Sequence, residues 1–196
     1  MEFQYHNITI SGLIGAGKTT LTNQLSKELG WNIIEEPVDE NPYLDLFYNN
    51  MSQYGFAMQI YFLNHRFEQE QKNIWNKNHT IQDRSMWEDI IFATMLNKTG
   101  KISDLDYSTY KQLYCNMVNF IKKPSKIIYL DVTPETAIKR IRERNRECEK
   151  NIDIGYLTIL KETYEEWLQQ ISKTTPVIRI DWNEFKNIEN VVNLLN

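Results

Sequence analysis

Residues 12–20 read GLIGAGKTT and fit the phosphate-loop pattern G-x-x-x-x-G-K-S/T. Such a loop aims the backbone N–H groups of Gly12, Leu13, Ile14, Gly15, Ala16 and Gly17 at one point, together with a helix N-terminus. Lys18 then reaches the β- and γ-phosphates of a nucleoside triphosphate, and the hydroxyl of Thr19, followed by Thr20, can hold Mg²⁺. Phosphoryl transfer also needs a group that takes the proton of the nucleophile. Two carboxylates qualify. Glu36 precedes Pro37, which biases its backbone toward an extended form that projects the side chain off a strand end. Asp83 precedes Arg84 and is a second candidate base, or a Mg²⁺ ligand. Arg84 suits a phosphate oxygen, although an Asp83–Arg84 salt bridge between strand ends is an equally simple reading.

Gln59 and Arg66 are seven residues apart on one helical stretch, which puts them within about 20° of each other and roughly 10 Å apart along the axis. With Met58, Phe62 and Leu63 around them, an amide and a guanidinium suit the edge and face of a nucleobase. The plainer alternative is an exposed polar pair on a core helix. The run Lys139–Glu147 (KRIRERNRE) carries Arg140, Arg142, Arg144 and Arg146. Arg140 and Arg144 share a helical face, and Arg142 and Arg146 lie nearly opposite. Arginines on several faces suggest a lid over phosphates rather than a helix laced with surface ion pairs.

The elements that must position these groups alternate between β and α. Strands are expected at Tyr5–Ile10, Asn32–Glu35, Thr80–Gln82, Lys126–Asp131 and Val177–Asp181. Helices are expected at Lys18–Leu29, Tyr54–Trp75, Glu88–Asn97, Leu105–Ile121, Pro134–Arg146, Ile154–Ser172 and Ile188–Leu195. Leu21, Leu25 and Leu29 give the first helix an apolar stripe that stops at Gly30. Ser103 and Asp104 cap the fourth, and Thr133-Pro134 opens the fifth. This order predicts an α/β fold: a five-stranded parallel sheet with helices on both faces and ligands beyond the carboxyl ends of the strands. Glycine loop, Glu36, Asp83-Arg84, Asp131–Pro134 and Asp181–Phe185 all fall at that edge.

The chain of 196 residues is expected to form a single domain, 1–196, with the lid at about 140–153. A net charge of −4 argues against nucleic acid as the main ligand. Cys115 and Cys148 lack metal-ligand spacing and read as free thiols of a reducing compartment. Cys148 sits in a charged segment where oxidants can reach it. There is no signal-peptide pattern at Met1–Gln4 and no membrane-length apolar run, so a soluble, cytoplasmic protein with no membrane partner is expected.

These residues together resemble a deoxynucleoside kinase of the deoxycytidine/deoxyguanosine kinase group, most like its bacterial deoxyadenosine-kinase-type members. The resemblance rests on GLIGAGKTT at 12–20, EEPVDENPY at 35–43, FAMQIYFLNHR at 56–66, QDRSMWED at 82–89 and TPETAIKRIRERNR at 133–146. It implies a P-loop kinase fold with an Arg-rich lid, ATP as phosphate donor, Mg²⁺, and a homodimer. It implies that Glu36 takes the 5′-hydroxyl proton, that Asp83 is a base or lies near Mg²⁺, and that Arg84 contacts phosphate. Tyr48 and Glu149 match the pair on the sugar 3′-hydroxyl, Gln59 the base-reading amide, and Arg66 with Asp89 the pair at the far edge of the base. Arg140, Arg144 and Arg146 match lid positions, and Asn183-Glu184-Phe185 the loop beside the donor adenine. Met58 replaces an aromatic stacking residue of many relatives. Phe92 follows Asp89 one residue early, so either Glu88 or Asp89 faces the base. An arginine–carboxylate pair there crowds a thymine methyl, so deoxyadenosine, deoxyguanosine or deoxycytidine is expected ahead of thymidine.

A thymidylate-kinase-like nucleoside monophosphate kinase shares the phosphate loop, E-P and D-R elements, but would carry a glycine-rich continuation where this chain reads Val38–Tyr43. A GTP-binding switch would need N-K-x-D, and Asn97-Lys98-Thr99-Gly100 lacks the aspartate.

Overall fold

A computed structural model describes residues 5–35, 41–74 and 78–195. Glu36–Glu40 and Trp75 therefore lie outside the described residues, the candidate base Glu36 among them. Five strands, β1 (Asn7–Gly12), β2 (Asn32–Ile34), β3 (Thr80–Asp83), β4 (Lys126–Asp131) and β5 (Val177–Asp181), form one sheet in the order β2-β3-β1-β4-β5. Every pairing is parallel, with Ile10 beside Asp83 and Gly12 beside Leu130. The expected architecture is present. β1 runs two residues further than its apolar pattern, so Ser11 and Gly12 are strand residues and the phosphate loop springs directly from the sheet.

The helices are α1 (Lys18–Leu29), α2 (Leu44–Asn49), α3 (Met51–Ile74), α4 (Asp89–Lys98), α5 (Asp104–Val118), α6 (Pro134–Arg144), α7 (Ile154–Ile171) and α8 (Ile188–Asn193). Leu21 and Leu25 of α1 are fully buried, and Gly30 closes the helix in the left-handed region at φ +67°. Ser103 accepts a hydrogen bond from the Asp106 N–H and Thr133 from the Thr136 N–H, the expected caps. α2 has no counterpart in the sequence reading, because six residues are too short for a periodic signal and its cap Tyr43 offers no side-chain bond. α6 ends two residues before its expected limit. Asn145 takes the left-handed conformation at φ +53° and its N–H bonds the Ile141 carbonyl, so Arg146 stands outside the helix.

One face of the sheet is apolar: Ile8, Ile10, Ile81, Ile128 and Leu130 are buried. The other carries polar groups. Thr9 donates to Gln82, Gln82 donates to Glu70 of α3 at 2.6 Å, and Ser11 donates to Glu88. Two-residue alternation along β1 and β3 separates these sets. Burial pushes the Glu70 carboxyl up to about 7, offset in part by the Gln82 amide. A folded-state value above the usual 4.5 means the native protein holds a proton that the unfolded chain has released. Stability is then lost as pH rises from about 4.5 to 7. Glu70→Gln is expected to flatten that slope and to be about 3 kcal/mol more stable than the parent at pH 8. Chemical denaturation at pH 5, 6.5 and 8 reads the difference; parallel slopes for both proteins would contradict it.

Candidate active site

Beyond the carboxyl ends of the strands lies a cavity of about 600 Å³. Gly15, Gly17, Lys18, Thr19 and Thr20 line one end. Gly15 and Gly17 have φ values of +78° and +93°, and a side chain at either would collide with the Ala137 carbonyl at 2.6 Å or the Phe185 ring at 2.9 Å. The loop thus requires glycine at both for shape and for space. Lys18 is buried and its Nζ donates to the Leu13 carbonyl at 2.9 Å, inside the loop it belongs to. Gly12, Leu13 and Ala16 do not line the cavity; they support the loop, with Leu13 and Ala16 fully buried.

The Thr19 hydroxyl donates to Asp83 at the end of β3. One hydroxyl and one carboxylate, both hard oxygen donors, meet beside the phosphate loop. That set fits Mg²⁺, which takes one or two carboxylates and completes its shell with water and substrate phosphate. No cluster of three or more metal-binding side chains occurs among the described residues.

Arg84 has a left-handed backbone at φ +64° and its N–H bonds the Ile10 carbonyl of β1. Its guanidinium lines the cavity, lies 4.9 Å from the centre of the Phe92 ring, and donates to the Tyr164 hydroxyl. Glu88 accepts from Arg84 at 3.4 Å and is fully buried. Burial raises its carboxyl, and Arg84 beside it opposes that rise.

The other end of the cavity is built on α3. Gln59 and Arg66 are both 5 % exposed and both line it, so they are not the surface pair of the plainer reading. Arg66 forms a buried salt bridge with Asp89 and lies 4.8 Å from the centre of the Phe62 ring. Of the two adjacent carboxylates, Asp89 partners Arg66 and Glu88 turns to Ser11 and Arg84; neither lines the cavity itself. Met58 is buried at the same end, its sulfur accepting from the Asn41 amide at 3.3 Å. Tyr48 and Glu149 line the middle.

One cavity thus brings the phosphate-loop residues together with the buried Gln59 and Arg66. A family model described as deoxynucleoside kinase matches residues 8–195. The chain belongs to the deoxynucleoside kinase family. It is 48 % identical over 189 residues to a deoxyadenosine kinase of Dictyostelium discoideum, covering 96 % of this chain and 77 % of that protein. It is 39 % identical to a deoxyadenosine/deoxycytidine kinase of Bacillus subtilis (strain 168), with 94 % and 89 % covered. A solved deoxyadenosine kinase from M. mycoides with bound dCTP superposes with a TM-score of 0.88 at 36 % identity, covering 97 % of this chain and 98 % of that one. Neither the thymidylate-kinase reading nor the GTP switch gains support from these relatives.

The kinase's arginines depart from the sequence expectation in detail. Arg140 donates to the carbonyls of Ala16, Trp182 and Asn183 at 2.9–3.0 Å and lies 4.3 Å from the centre of the Phe185 ring. It ties the phosphate loop to the loop after β5. Arg144 and Arg146 both face Glu149. Phe185 lines the cavity, whereas Asn183 and Glu184 do not; Asn183 instead accepts from the Thr133 N–H at 2.9 Å. Cys115 and Cys148 are free thiols. Burial, then Glu149, raises the Cys148 thiol, so it is a poorer oxidation target than its charged neighbours suggested. No described helix is long and apolar enough to cross a membrane. Phe47, Phe92 and Tyr156 also line the site. The sequence reading missed Phe47 and Tyr156 because an aromatic on a helix reads equally as core.

Proposed function

We propose that this kinase transfers the γ-phosphoryl group of ATP to the 5′-hydroxyl of deoxyadenosine, deoxyguanosine or deoxycytidine in preference to thymidine. The observation that carries this reading is the shared cavity, lined by Gly15 and Gly17–Thr20 of the phosphate loop and by Gln59, Met58 and Arg66 of α3. Its volume of about 600 Å³ suits a nucleoside and the tail of a triphosphate together. Gln59 reads the base edge, and the Arg66–Asp89 pair presents a donor and an acceptor at its far side. Tyr48 and Glu149 hold the sugar 3′-hydroxyl. Glu36 takes the 5′-proton while Lys18 and Arg84 neutralise charge on the transferring group. Thr19 and Asp83 would hold Mg²⁺, which would offset phosphate charge when bound. Arg144, the last residue of α6, and Arg146 beyond it act as the lid, with the segment of about 140–153 closing over the donor.

Exposed Leu105, Leu113 and Phe120 supply apolar surface around α5 for a homodimer. The free thiols support a reducing, cytoplasmic compartment.

The test is a turnover panel of the four deoxynucleosides and their monophosphates with ATP and Mg²⁺. Phosphorylation of deoxyadenosine, deoxyguanosine or deoxycytidine is expected to exceed that of thymidine by at least about 10²-fold in kcat/KM, as a mis-shaped base edge leaves buried polar groups unpaired. Faster turnover of thymidine would overturn the base assignment.

A further inference from the structure

Glu88 sits where no substrate atom can reach it, fully buried at the turn before α4, and yet it gathers three donors. The Ser11 hydroxyl donates to Oε2, Arg84 donates to Oε1 at 3.4 Å, and the Tyr164 hydroxyl donates to Oε2 at 3.4 Å. Tyr164 in turn accepts from Arg84, so guanidinium, phenol and carboxylate close a ring. Ser11 is the residue before Gly12, at the root of the phosphate loop. Arg84 reaches the cavity from a left-handed backbone, a conformation that a side chain of its size adopts only when its surroundings fix it. Both arms of the phosphate machinery, the loop from β1 and the arginine after β3, therefore converge on one carboxylate behind them.

We infer that Glu88 is a positioning residue for phosphoryl transfer, holding Arg84 in its reactive orientation and fixing that arginine relative to the root of the phosphate loop through Ser11. The inference rests on the reading of Arg84 as a phosphate-contacting group. A buried carboxylate used only for stability would serve equally well paired to any arginine. Here Glu88, which follows β3 with Arg84, also takes the Ser11 hydroxyl of β1, so one carboxylate links the two strands that must keep register during transfer, and the phenol of α7 completes it. Because misplacement of about 1 Å costs on the order of 10²-fold in rate, the expected signature is a fall in kcat with little change in nucleoside binding.

The experiment compares Glu88→Gln, Arg84→Gln and the double variant, with Tyr164→Phe as a milder change in the same ring. Each is assayed for kcat and nucleoside KM alongside a thermal melt. Glu88→Gln is expected to lower kcat by about 10²-fold with KM within about twofold, and to cost nothing further once Arg84 is Gln. Tyr164→Phe is expected to follow the same pattern with a smaller loss, and it carries the test should Glu88→Gln fail to fold. Impaired Arg84→Gln beside unimpaired Glu88→Gln, or beside unimpaired Tyr164→Phe if Glu88→Gln does not fold, removes the positioning role and leaves the arginine reading standing. Losses that add in full in the double variant, or a nucleoside KM that rises in step with the fall in kcat, overturn it as well. An unimpaired Arg84→Gln sinks the arginine reading and, with it, this one.

Discussion

Lys18→Ala is expected to lower kcat/KM for phosphoryl transfer by about 10³-fold or more while leaving the fold intact. Lys18 is 94 % buried and its ammonium rests on the Leu13 carbonyl at 2.9 Å, held within the curve of its own loop. A positive charge preset in a site that excludes water is worth far more to a developing anion than the same charge in solvent. Its removal leaves the backbone N–H groups of the loop in place, because Gly15 and Gly17 and the carbonyl packing around them set that shape. Donor binding should therefore weaken less than turnover. Steady-state kinetics with ATP varied, beside a cooperative melt, check both halves. A variant that keeps its rate would remove the phosphate loop from the mechanism.

The sheet, its parallel sense and the edge that carries the chemistry were legible because β and α periods alternate cleanly and the glycine loop marks one strand end. Legibility failed where a local conformation depends on distant partners. Arg140 resembles its lid neighbours in the sequence, but three carbonyls from two other loops claim it. Glu88 and Asp89 are adjacent and both acidic; only the 3-10 turn Met86–Glu88 sends one to Ser11 and the other to Arg66. The sequence places helices on both faces of the sheet but does not say what meets the polar face of β1 and β3. That face is buried because α3 and α7 bring Glu70 and Tyr164 onto it. A signal was present for the end of α6, since asparagine is second only to glycine in tolerating the left-handed turn that closes a helix.

Glu36→Gln is expected to lower kcat by about 10³-fold, within the range for loss of a general base, and to abolish the fall of rate on the acid side of the pH profile. Asp83→Asn is expected to act differently: a large loss at low Mg²⁺, partly recovered as Mg²⁺ is raised. The geometry behind the contrast is the Thr19–Asp83 hydrogen bond, which commits that carboxylate to the phosphate-loop side of the cavity. A base must lie within hydrogen-bond reach of the hydroxyl it deprotonates. At the end of β2, Glu35 lines the same cavity, and its carbonyl accepts from Gln69 of α3 at 3.1 Å. That bond ties the end of β2 to the helix that carries Gln59 and Arg66. Rate measurements from pH 5 to 9 at two Mg²⁺ concentrations separate the roles. An acid limb that survives Glu36→Gln and vanishes in Asp83→Asn would exchange them.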